Sequence, residues 1–121
     1  MAPPVDFARL EANAARRFPQ PVLISDLVGI PVLDGRLGRL GVTEQVVRSG
    51  GAPTIVIRYG GWFGFGGRPI ALPLAGVAML GRQVVVMDIS PEQLEAWPTF
   101  EDGDAAPLAG GDVVKVGLTK N

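Results

Sequence analysis

The chain has 121 residues, 47% of them hydrophobic and 19% charged, with a net charge of −1 and neither cysteine nor histidine. That length makes one domain with at most a flanking segment, large enough to bury a core of its own. Without Cys there are no disulfides, thiolate nucleophiles or Cys-based metal sites. Without His the usual general base near neutral pH is missing, so the composition leans away from catalysis.

Taken in chain order, residues 5–18 predict a short helix. Phe7, Leu10, Ala14 and Phe18 recur at helical spacing, Asp6 can cap the start, and Pro19 and Pro21 stop it. Residues 1–21 are therefore expected to form a helical extension to a domain at 22–100. Within that domain, short apolar runs alternate with turn residues, and the 17 Gly and 11 Pro punctuate them. Ile30 to Leu33 stops at Asp34-Gly35, a hairpin dipeptide. Leu37 to Arg48 continues extended, with Gly38 and Gly41 as expected bends or a bulge. Thr54 to Tyr59 is the clearest strand, with Ile55, Ile57 and Tyr59 on one face. A Gly–aromatic segment, residues 60–67, follows it, and then two further strands, Ile70 to Pro73 and Val84 to Ile89. Ser90 as N-cap, Pro91 at N1 and Gln93 at N3 predict a capped helix over 91–96, with Ile89 and Leu94 as a hydrophobic staple. Residues 101–121 read as an acidic linker with one possible edge strand around Val113, Val114 and Val116. Five or six short strands at this spacing predict a mainly β domain, a small barrel or sandwich.

The order of these signals resembles that of a PRC-barrel domain. Asp26 to Asp34 followed by Leu37 to Val42 is similar to the opening of that domain. Ile55 to Arg68 is similar to its strand and Gly-Gly–aromatic–Gly loop, Ile70 to Pro73 to the next strand, and Val84 to Leu94 to the closing strand with its short helix. The resemblance covers about residues 25–100. It implies a small, mostly antiparallel β-barrel with a helix before it and a short helix after it. It further implies a stand-alone, often self-associating protein-binding domain with no shared catalytic site. The family's ribosome-maturation branch supplies an alternative, an RNA-associated assembly factor. An enzyme using carboxylates and Tyr59 is the second alternative.

Candidate contact residues follow. Trp62, Phe63 and Phe65 in the Gly–aromatic loop either hold a partner or fold down to plug one end of the domain. Arg58 and Arg68 flank that loop and have the forked donors that recognise carboxylate or phosphate. Val84 and Val86 lie in a run that is apolar on both faces, which suggests a dimer contact, and the low charge fraction points the same way. Glu101, Asp102 and Asp104 lack the ligand spacing of a calcium loop and read as a solvated linker. No metal or cofactor is expected. Residues 1–82 carry nine Arg against five acids, and residues 83–121 two Lys against seven acids, so the halves differ in sign, +4 against −5. The Arg residues are spread singly, so the expected partner is protein, another copy of this chain included, rather than nucleic acid. No apolar stretch approaches the ~20 residues of a membrane-spanning helix, and the first residues lack a signal-peptide pattern. A cytoplasmic location is the resulting expectation.

Overall fold

The computed structural model describes residues 5–49, 52–60, 66–101 and 105–119. Helix α1 (Phe7–Ala15) opens the fold, and the Asp6 carboxylate accepts a hydrogen bond from the Arg9 N–H as its N-cap. Strand β1 (Gln20–Leu23) leads into a single helical turn, α2 (Ile24–Leu27). Then come β2 (Pro31–Leu33), β3 (Arg39–Ser49), β4 (Ala52–Tyr59) and β5 (Arg68–Pro73). A 3-10 turn joins β5 to β6 (Val77–Leu80), which is followed by β7 (Gln83–Val86), α3 (Pro91–Glu95), β8 (Ala106–Pro107) and β9 (Val113–Leu118). The protein is mainly β. Its strands run in the order β1-β9-β6-β7-β2-β3-β4-β5, with β8 beside β3.

The sheet is mixed. β2 runs parallel to β7 and β6 parallel to β9, and the other pairs are antiparallel. The β6–β7 hairpin turns at Gly81, whose φ of +58° suits glycine, followed by Arg82. The apolar run of β6 has no polar alternation that would mark it as a strand in the sequence. The strand expected at an edge around Val113, Val114 and Val116 is β9, which lies between β1 and β6, with Val114 and Val116 in the core. β1 is the outer strand instead.

One apolar core takes side chains from most of these elements: Ile24 and Leu27 from α2, Val46 from β3, Ile55 and Ile57 from β4, Ile70 and Leu72 from β5, and Leu94 from α3. Val84 and Val86 point into this core and are 0% and 2% exposed, while Val85 is buried on the opposite face. They have no surface to give a second subunit, so the expected dimer contact does not fall on them. Both faces of this strand are apolar because the protein's own chain covers both.

Two glycines are needed for close approach. A Cβ on Gly41 would stand 1.7 Å from the Arg58 carbonyl oxygen, so the β3–β4 pairing requires glycine there. β3 is irregular twice: Leu40 is the extra residue between the Val32–Gly41 and Leu33–Arg39 pairs, beside Gly41 as expected, and Glu44 is the extra residue between the Thr43–Ile57 and Gln45–Val56 pairs. A Cβ on Gly117 would meet the Arg17 Cβ at 2.8 Å, so glycine lets the chain after α1 lie against β9. Leu10 of α1 is buried in the main core, and the Leu118 N–H donates to the Arg17 carbonyl at 2.7 Å. The helix read from sequence as an extension is thus fastened to the body. The Asp34 turn closes β2 to β3 through five residues, its carboxylate accepting from the Arg36 and Gly38 N–H groups at 2.8 Å each.

Candidate functional site

The capped helix places the chemistry around β5. Ser90 Oγ accepts from the Gln93 N–H at 3.1 Å and Gln93 Oε1 accepts from the Ser90 N–H at 2.8 Å, the reciprocal pair expected from the spacing. Ile89 and Leu94 are both buried in the core, as the staple requires. α3 therefore starts at a fixed point and delivers Trp97 across the free side of β5. The Trp97 indole N–H donates to the Ala71 carbonyl at 2.7 Å, and the Phe100 N–H donates to the Pro69 carbonyl at 2.7 Å.

Arg68 completes this arrangement from β5. Its guanidinium donates to the carbonyls of Leu94 at 3.2 Å, Glu95 at 3.0 Å and Trp97, and to Thr99 Oγ1 at 3.4 Å. The last carbonyls of a helix lack intrahelical partners and carry its negative end, so a cation there satisfies both needs. The same guanidinium lies 5.6 Å from the centre of the Tyr59 ring. Burial first, then the charge of Glu95 and a hydrogen bond to it, push the Tyr59 phenol above its ordinary value, against the opposing charge of Arg68. Arg58 lies one register step away, opposite Pro69, and its Nε donates to Glu44 Oε1 at the bulge, in a pair about one-third exposed. Both candidate arginines thus have partners within the chain, Arg68 on the helix end and Arg58 on Glu44. The sequence placed both beside the Gly–aromatic loop but could not supply partners 14 to 31 residues away. Trp62, Phe63 and Phe65 lie outside the described residues, as do Asp102 and Asp104.

An open groove of about 530 Å³ lies beside this strap. Its walls are Val5 and Phe7 at the start of α1, Thr54, Ala71 and Pro73 on β4 and β5, and Gln93, Ala96, Trp97 and Pro98 around α3, with Ser49 at the end of β3. None of these ten residues is charged. Phe7 stands edge-on to Trp97, ring centres 6.4 Å apart and planes at 67°, yet it remains 53% exposed. The volume falls within the range of small-ligand and peptide sites. Trp97 was missed from sequence, although a large aromatic directly after a capped helix and before Pro98 is a recognisable signal. Phe7 was read as one face of a helix rather than as part of a groove.

Asp88 forms a second polar centre. It adopts φ of +63° between β7 and α3, accepts from Asn13 Nδ2 at 3.2 Å, and pairs with Arg17, which approach from α1 and from the turn just after it. Burial acts to raise the Asp88 carboxyl, but the hydrogen bonds from Arg17 and Asn13, with the charges of Arg17 and Arg9, outweigh it and hold the group below its ordinary value. This centre fastens α1 to the body. Among the described residues there is no group of three or more His, Cys, Asp or Glu placed to hold a metal ion, and no helix long and apolar enough to cross a membrane. No family model matches the chain, and no curated protein matches it either.

Proposed function

We propose that this chain is a non-catalytic protein-interaction module of the PRC-barrel type that docks on a larger assembly. The observation that carries the reading is the open, uncharged groove in which a half-exposed Phe7 stands against Trp97. Aromatic side chains at the centre of a concave apolar surface supply much of the energy of protein contacts. The groove walls offer little polar chemistry. The Trp97 indole N–H already bonds the Ala71 carbonyl, and Gln93 closes its own helix cap. An uncharged, apolar segment of a partner fits such a surface better than a polar substrate does. The strand–Gly–aromatic–strand–capped-helix order adds the family resemblance, and with it a closed barrel, to this reading.

The test is affinity capture from the native cells with the tagged wild-type chain and its Phe7→Ser variant. Phe7 is exposed enough that the variant keeps its fold, which far-UV circular dichroism checks. The reading expects a partner protein retained by wild type, depleted at least about tenfold by Phe7→Ser, and unaffected by ribonuclease. Capture that ribonuclease abolishes, or a partner set that ignores Phe7→Ser, overturns it.

A further inference from the structure

We infer that the outward face of the β1–β9 ribbon is a self-association surface, which joins two copies of this chain about a two-fold axis near Leu23 and Val113. These two residues are directly opposite in the antiparallel register, and they are 42% and 57% exposed. Two large apolar side chains as cross-strand neighbours on an open face form a continuous patch, unlike single exposed apolar residues, which are common. Phe18, 76% exposed at φ of +52°, stands just before β1.

The backbone decides how a second copy can approach. The Ile24 N–H donates to the Asp112 carbonyl, so by alternation Gln20 and Val22 bond β9 while Pro21 and Leu23 turn their backbone outward. Pro21 has no N–H, which leaves Leu23 as the one outward donor of β1. With one donor lost, a second strand pairs poorly along this edge, which favours contact through side chains on the face. Charge then selects the axis. Lys115 lies on the same exposed face, opposite Pro21, whereas the exposed Asp26 of α2 stands beyond the Leu23 end of the ribbon; the Asp112 carboxylate there already accepts from the Ala109 N–H. An axis through Lys115 sets two like charges against each other. An axis through Leu23 and Val113 stacks the apolar pairs and brings Lys115 of each copy toward the acidic end of the other.

This surface rests on the reading of the chain as an interaction module and names one of its partners, a second copy. Sedimentation velocity of the purified protein alone, between about 1 and 100 μM, tests it. Wild type is expected to approach twice the chain mass, and Val113→Glu is expected to weaken the association about 30-fold or more. Lys115→Glu and Asp26→Lys are each expected to associate more weakly than wild type, and an equimolar mixture of the two to recover, since opposite charges then meet across the axis. A wild-type monomer throughout this range, a Val113→Glu variant that associates like wild type, or a mixture no stronger than its components overturns the inference. A monomeric wild type that still captures its partner through Phe7 refutes this surface alone. A dimer that captures nothing refutes the docking function instead.

Discussion

The two outer strands of the sheet are finished in different ways. Along β5, Pro69 and Pro73 lack N–H groups, and the carbonyls of Pro69 and Ala71 are taken by Phe100 and by the Trp97 indole. Arg68 then ties the end of α3 to the same strand. Along β1 a single proline removes one of two outward donors, no strap crosses the edge among the described residues, and Leu23 and Val113 remain on the open face. On both sides prolines remove backbone donors that a further strand would use, which favours binding through side chains. At β5 those side chains form a concave groove, and at β1–β9 they form an exposed patch. One region is built for stability and the other carries little of it.

That contrast is broken or sharpened by substitution. The largest expected effect is at Leu94, fully buried where α3 meets the core. Leu94→Ala is expected to cost about 2–5 kcal/mol in urea denaturation, as buried Leu truncations do. Arg68→Met comes next. It leaves three carbonyls at the end of α3 without their charged donor, a loss of about 1.5–3 kcal/mol by the same measurement. Arg68→Lys is expected to fall between, since a point charge cannot reach all three carbonyls as the guanidinium fork does.

A smaller effect is expected at Asp88, and it depends on pH. Its carboxyl is lowered in the folded protein, so the stabilisation is present above the ordinary aspartate value and is lost as pH falls below it toward the folded one. Asp88→Asn suits the positive φ and removes the charge. Thermal melts from pH 7 to pH 3 are expected to converge for wild type and variant at the acid end and to separate toward neutrality, with wild type the more stable. The smallest effect is at Val113, where Val113→Thr is expected to change stability by less than about 0.5 kcal/mol while weakening self-association. A large loss of stability at Val113, or none at Arg68, breaks the division between the two regions.

What the sequence revealed follows the range of each interaction. The Ser90–Gln93 capping box, the Asp6 cap and the core-facing alternation of Ile55 and Ile57 were legible, because their partners lie within a few residues or follow from period alone. The role of Arg68 was not, since its acceptors are 26 to 31 residues away and mostly backbone. Val84 and Val86 invited a dimer reading because periodicity reports that both faces of a strand are apolar, not what covers them. Phe7 and Trp97 meet only after the whole sheet is assembled, which sets α1 beside α3, so the groove left no local mark. The exposed pair Leu23 and Val113 depends on the β1–β9 register, a pairing between the two ends of the chain.

The division between a strapped side and a self-associating side is tested most directly by following backbone amide NMR signals as the protein is diluted from about 500 to 10 μM. The account predicts concentration-dependent shifts at Leu23, Val113 and Lys115 and none at Ala71. Shifts centred on Ala71, or a ribbon whose signals do not move with concentration, would contradict it.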